Sequence, residues 1–278
     1  MALDSVSAAD LGAGRLDSFT RALRAGVSRG WRPVVLPLAT TLIGLGAWEG
    51  YVRLRGVPSA ILPPPSEVIE TLIAVRSLLI EHAWPTMVET VAGFLLATVV
   101  GILVAIAITY SRAMREALYP LLVVFQLIPK VALAPLFIVW LGIGSSSRLA
   151  FALFISFFPV VISTAAGLIN TDRYMIRLAR SLTATDWQIF VNIRFPNALP
   201  HIFSGLKIEV TLSIIGVVVG EFITSQAGLG YLIIFATSRA ETAAIMAAII
   251  VLCVIGLVLY GAVVLAERLM LRWYQGEG

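Results

Sequence analysis

Long apolar runs with few interruptions dominate the pattern of this chain. Residues 33–51, 91–110, 149–169 and 242–266 each supply the stretch of about 20 predominantly apolar residues that a helix needs to cross a bilayer. Residues 117–147 are too long for one crossing and are punctuated by Pro120, Pro129 and Pro135. They read as a broken element whose span lies near 127–144. A fifth span, near 199–223, is the least clean because Lys207, Glu209 and Glu221 fall within it. The pattern predicts an all-α membrane protein with six transmembrane helices.

Composition agrees: 59% of residues are hydrophobic and 13% charged, against about 25% charged in a soluble domain. The expected organisation is one transmembrane domain, 33–268, between tails at 1–32 and 269–278. Residues 1–30 contain Arg15, Arg21, Arg24 and Arg29 but no continuous apolar stretch of the signal-peptide kind. A surface helix over 16–27 and a disordered tail are both compatible with that segment. The net charge of +4 is better read by location, because basic residues report orientation. With the N-terminus cytoplasmic, one side receives the N-terminal arginines, Arg112, Arg115, Arg173, Arg177, Arg180, Arg194, Lys207, Arg268 and Arg272. The other side receives only Arg53, Arg55, Arg76, Arg148 and Arg239. Both termini are therefore expected to be cytoplasmic. The lone Cys253 lies in an apolar run and reads as a small core or lipid-facing residue.

Residues 52–90 are the largest piece expected outside. After the Pro63-Pro64-Pro65 run, Ser66 reads as an N-cap, with Glu67 and Glu70 in the first turn. Leu72, Ile73, Val75, Leu79 and Ile80 then give one apolar face of an interfacial helix too short and too charged to span.

On the cytoplasmic side, residues 171–207 break the apolar pattern with "ARSLTATDWQIFVNIRFPNALPHIFSGLK". Ile176, Ala179 and Leu182 recur at helical spacing, with Arg173, Arg177 and Arg180 opposite. Thr185-Asp186-Trp187-Gln188 matches a capping box, which starts a second short helix. That helix is expected to end near Arg194, where Phe195-Pro196 and Leu199-Pro200 redirect the chain. Trp187, Ile189 and Phe190 can anchor a partner, or the segment can pack on its own bundle.

Within the spans, Gly216 and Gly220 form a GxxxG spacing that lets two helices approach closely. Glu221 beside them lines the translocation path near its outer mouth, or is an interfacial carboxylate at a packing seam. Gly228 and Gly230 form a gate, a re-entrant bend or a simple turn. Lys130 is expected to snorkel to the cytoplasmic interface from the start of the third span; a substrate-attracting lysine in the cavity is the alternative. His82 and His201 lack a second His or Cys at ligand spacing, so no metal is expected. Trp31, Trp84, Tyr110, Trp273 and Tyr274 read as an aromatic belt. No G-x-x-x-x-G-K followed by Ser or Thr occurs in the sequence, so ATP is expected on another subunit.

The segment around 179–207 resembles the cytoplasmic EAA loop of ABC importer permeases, through Ala179-Arg180-Ser181-Leu182, Phe190, Pro196, Leu199-Pro200 and Gly205-Leu206. "ETVAGFLLATVVGILVA", "YPLLVVFQLIPKVALAPLFIVWLGIG", "FFPVVISTAAGL" and "GEFITSQAGLGYLI" resemble the nitrate/sulfonate/taurine-type branch in the same order. The loop departs from the family pattern where Arg177 replaces its glutamate, Leu178 its first alanine and Thr183 its turn glycine. The resemblance implies a type I importer bundle and a permease subunit for a small solute: a nitrate-, sulfonate- or taurine-like anion, or a heterocycle such as a thiamine precursor or riboflavin. It implies a homodimer in the bacterial inner membrane, two cytoplasmic ATPase subunits carrying ATP and Mg, and an external solute-binding protein. No cofactor on this chain and no nucleic acid are implied. Ala179, Arg180, Ser181, Leu182, Thr183, Ala184, Asp186, Trp187 and Phe190 become the ATPase-coupling residues, and Glu221, Lys130, Gly216 and Gly220 candidates for the path. An ion-coupled secondary transporter is the competing class, but no internal repeat of that kind is present; a membrane enzyme lacks a nucleophile, paired acids or a metal cluster.

Overall fold

The computed structural model describes residues 35–224 and 226–272. The expected N-terminal tail with its arginines, Trp31, Trp273, Tyr274 and the end of the C-terminal tail lie outside those residues. Every regular element described is helical. Five helices are long and apolar enough to cross a membrane, and a pair bent by 91° makes a sixth if it counts as one span. The chain divides into two compact units, Met1–Glu67 and Val68–Gly278.

In the first unit, helix α1 runs Val35–Arg55 and ends at Gly56, whose φ of +60° suits glycine. Helix α2, Pro65–Ala74, contains the boundary between the two units and begins two residues earlier than the sequence suggested, with proline at a first-turn position where its missing N–H costs nothing. Ser66 is therefore not the cap. Its N–H and Oγ donate to the Glu49 carboxylate at 3.0 and 2.8 Å, so the orphan donor is satisfied from α1.

In the second unit, α3 spans Arg76–Tyr110 as one 35-residue helix. The expected interfacial helix is thus cut in two: its second half, with Leu79 and Ile80, is the start of a span. Leu79 is buried with Leu229, Leu232, Ala247, Ala248 and Ile255, so tertiary packing prolongs α3 beyond the apolar run of 91–110.

Helix α4 is Arg112–Leu127, followed by a short 3-10 turn, Lys130–Leu133, and α5, Ala134–Leu141. Here the expected span of 127–144 is corrected: Leu127 ends one leg rather than starting the span. Pro129 cannot continue the helix, and it holds Ile128 in an extended conformation (φ −68°, ψ 133°). The two legs diverge by 91° at that point.

Helix α6, Ser145–Ile169, and helix α9, Phe195–Thr224, form the central antiparallel pair, with α3 against both. Small residues set the seam. A Cβ on Gly216 would lie 2.7 Å from the Ala152 Cα, and one on Gly167 would lie 3.0 Å from the Ala198 Cα. Between α6 and α9 lie α7, Arg173–Ser181, and α8, Asp186–Ile189. The expected stop near Arg194 does not occur: α8 runs through a wide π turn, Phe190–Arg194, directly into α9. Pro196 has no N–H for the normal ladder and its ring crowds the preceding turn. The chain answers by widening the turn, with the Phe195 N–H donating to the Phe190 carbonyl. Helices α10, Leu229–Ser238, and α11, Thr242–Met270, complete the unit.

Candidate functional site

Three groups of candidate residues fall at three heights of the α6–α9 pair. At the loop end, α7 is capped by Asp172, whose carboxylate accepts the Tyr174 N–H at 2.7 Å. The turn after α7 is a Schellman motif: the Ala184 N–H donates to the Ala179 carbonyl and the Thr183 N–H to the Arg180 carbonyl, both at 3.0 Å. Its left-handed position is Thr183, at φ +62°, where the turn requires the conformation that glycine adopts without strain. Thr185 and Gln188 then form the capping box foreseen from the sequence, each receiving the other's backbone N–H at 3.3 and 2.8 Å.

This end presents apolar side chains outward. Tyr174, Met175 and Leu178 are exposed, as are Leu182 at 72% and Trp187 at 71%. Met175, Leu178 and Leu182 fall on one helical stripe. Ile176 and Ala179 are the half-buried face of α7, and Leu182 does not join them. Trp187 stacks on Phe190 at 5.8 Å, and Phe190 meets Phe195 at 6.0 Å, which ties the exposed indole to the bundle. Arg180 pairs with Asp186 at 3.3 Å in the open, and Ser181 Oγ donates to the Leu178 carbonyl at 2.7 Å. The guanidinium of Arg177 lies 5.5 Å from the Tyr174 ring. Sequence reasoning missed Tyr174, Met175 and Leu178; their spacing with Leu182 was the available signal. A hollow of about 160 Å³, lined by Tyr110, Arg180, Asp186, Ile189, Phe190 and Arg194, opens beside the loop.

The far end is the opposite case. Glu221 is 2% exposed; its Oε1 accepts the Thr86 hydroxyl and its Oε2 the Gly230 N–H, both at 2.7 Å. Thr86 Oγ1 also accepts the Leu229 N–H at 2.9 Å, and His82 Nδ1 accepts the Gly228 N–H at 3.0 Å. Gly228 has φ +110°, and a Cβ there would collide with the Glu221 carboxylate. The loop before α10 is thus threaded onto α3 and α9 through backbone donors. Beside it, Arg148 makes a two-pronged contact with Glu89 at 2.5 and 2.7 Å. A Cβ on Gly220 would sit 2.9 Å from the Arg148 stem. Neither Glu89 nor Arg148 was a sequence candidate as a pair. The available signal was two opposite charges at the ends of two spans that open on the same side.

Lys130 stands between the ends. Its Nζ is 3.5 Å from the carbonyl oxygen of Ile155 and 4.4 Å from the centre of the Phe158 ring. Ile155 is the eleventh residue of the 25-residue α6, so the ammonium lies about 15 Å from the helix start at 1.5 Å per residue. The snorkelling geometry expected from the sequence is not the one found, because that expectation started the span at Leu127. Glu209, also mid-helix, is fully buried and accepts the Thr98 hydroxyl at 2.8 Å.

Comparison with known proteins gives the geometry a context. Residues 97–272 match the family described as "Binding-protein-dependent transport system inner membrane component". The riboflavin transport system permease protein RibX of Chloroflexus aurantiacus is 36% identical over 245 residues, covering 87% of this chain and 91% of the relative. The formylaminopyrimidine transport permease protein ThiX of Halalkalibacterium halodurans is 33% identical over 226 residues, covering 81% and 90%. An inward-facing crystal form of the MetNI methionine ABC transporter superposes with a TM-score of 0.62 at 18% identity, covering 71% of this chain and 98% of the other. A family match over most of the chain and relatives above 30% identity along nearly their full length lead to one conclusion: this is a multi-pass membrane protein of the binding-protein-dependent transport system inner membrane component family, a permease subunit of an ABC importer and not an enzyme.

Proposed function

We propose that two copies of this chain pair in the bacterial inner membrane, with both termini and residues 171–207 cytoplasmic. Each loop docks one ATPase subunit, which carries ATP and Mg, and an external binding protein delivers the solute to the opposite face. The observation that supports this most is the apolar stripe of Met175, Leu178 and Leu182, with Trp187 beyond the turn, left exposed next to a turn fixed by its Schellman bonds and capping box. An ordered surface of exposed aromatic and aliphatic residues outside the apolar spans fits a protein partner. Ala179, Arg180, Ser181, Leu182, Thr183, Ala184, Asp186, Trp187 and Phe190 form the coupling surface. The translocation path passes Lys130; Glu221, Gly216 and Gly220 hold the outer end of the α6–α9 seam that borders it. The solute is a small sulfonate-like anion or a flat heterocycle, the latter supported by the two relatives named for riboflavin and formylaminopyrimidine transport.

Cysteine labelling of the reconstituted transporter tests the arrangement in a Cys253→Ser background. Thr185→Cys is expected to react only from the ATPase side, and Ser146→Cys only from the binding-protein side. Reaction of Thr185→Cys from the binding-protein side would put the dock in the wrong compartment and overturn the reading.

A further inference from the structure

Lys130 is a cation beside the middle of the α6 helix, and among the described residues no carboxylate answers it. Among the described residues its charge has no acidic partner within ion-pair reach, whereas Arg148 has Glu89 at 2.5 Å and Lys207 has Glu267 at 2.6 Å. Its neighbours are a single carbonyl oxygen at the edge of hydrogen-bond range and the face of Phe158. An ammonium has three N–H donors, so these contacts leave donor capacity unused. An ionisable group inside a membrane bundle is costly unless it faces water, a counter-ion or a ligand. The backbone explains how the side chain reaches this place. The extended Ile128 and Pro129 end α4, the chain turns through 91°, and Lys130 is the first residue after the corner. A straight span would have carried the side chain towards a surface.

The surroundings add a second kind of contact. Phe158 is packed edge-on by Phe154 at 5.5 Å and stacked by Phe125 at 6.4 Å. Phe125 is 45% exposed in the protomer, so the aromatic cluster opens outward on the side of the bent pair. Phe158 itself is buried, so it backs the site: the spare donors of Lys130 and the exposed ring of Phe125, both set against it, suit a solute that has an anionic head and an apolar or planar body.

We propose that Lys130 is the anion-accepting group of the translocation path, receiving carboxylate or sulfonate oxygens of a small organic solute while Phe125 contacts its body. This rests on the permease reading and names the solute chemistry that the passage favours. Lys130 holds no solute in place by itself; it biases which charge sign enters.

The test measures that bias without needing the natural solute. Phe125→Cys in a Cys253→Ser background, assembled with its ATPase in proteoliposomes, is reacted with anionic sulfonatoethyl methanethiosulfonate and with cationic trimethylammonioethyl methanethiosulfonate. Lys130 Nζ and the Phe125 ring lie 4.4 and 6.4 Å from the centre of the Phe158 ring, hence at most about 11 Å apart; at that separation in a water-filled path one unit charge changes the anion-to-cation rate ratio by about fourfold. Lys130→Met is expected to lower the ratio by that factor, and Lys130→Arg to preserve it. Lys130→Gln supplies a second neutral variant should Lys130→Met fail to assemble. An unchanged ratio in the neutral variants, or a Phe125→Cys thiol unreactive to both reagents from both sides, with normal ATP hydrolysis, overturns the role of Lys130 alone. A parent protein that neither binds an ATPase nor supports hydrolysis overturns the permease reading instead.

Discussion

The two ends of the α6–α9 pair are both firmly bonded in the backbone but treat their side chains in opposite ways. At the far end a carboxylate, a hydroxyl, an imidazole and an arginine–glutamate pair satisfy one another inside the protomer. At the loop end the backbone is equally well bonded, yet its aromatic and aliphatic side chains point away from the bundle. Buried polar groups with every partner present fix one arrangement. An exposed apolar face is a feature that marks sites of association. One end is closed on itself; the other, on the function proposed above, is where the ATPase docks.

The contrast breaks most severely at the far end. Arg148→Met removes one half of a largely buried pair and leaves Glu89 without its cation. It should cost about 3–5 kcal/mol, seen as a lowered unfolding temperature of the purified permease in detergent. Adding Glu89→Gln should recover much of that loss; no recovery would mean that the pair is not what stabilises this end. At the loop end the expected effect is on association. Trp187→Ala should weaken ATPase binding by about 2 kcal/mol or more, as for a central aromatic anchor, with the permease's own unfolding unchanged. Ala184→Asp should act in the same direction by burying an unpaired charge. A permease that melts early after Trp187→Ala would show that the indole supports the bundle rather than the partner. The smallest effect sharpens the picture. Thr183→Gly should relieve about 1 kcal/mol at a left-handed position, slowing hydrogen exchange of the α7 and α8 amides without altering the exposed stripe.

Much of this was legible in the residues. Membrane class follows from composition, and the capping box at Thr185 and Gln188 from four letters, because both depend on local chemistry. Family resemblance supplied the importer fold, which the comparisons bear out. What was not legible depended on partners distant in sequence. Nothing near Ser66 announces that Glu49 receives its donors, and nothing near Glu89 names Arg148. The start of α3 was misplaced because residues 76–90 are polar enough to look interfacial until Leu79 is seen packed on α10 and α11. Pro196 and Pro200 looked like stops because a proline removes one hydrogen bond; the wide turn before Pro196 shows that a long helix can absorb that loss. Lys130 was placed at the start of a straight span for a similar reason, since a bend of 91° cannot be read from Pro129 alone.

That wide turn also has a mechanical consequence. With no loop between α8 and α9, residues Asp186–Thr224 make one 39-residue rod, about 58 Å long at 1.5 Å per residue. Its tip carries Trp187, and its other end carries Glu221. The two interruptions of the hydrogen-bond ladder, the wide turn and Pro200, both lie on the loop side of His201. Compliance is therefore concentrated near the tip, and the remainder behaves as a stiff beam keyed into α6 by Gly216 and Gly220. A stroke applied at the tip would bend the rod there first and reach the remainder as a displacement of one body, carrying the far end with the helix it is packed against.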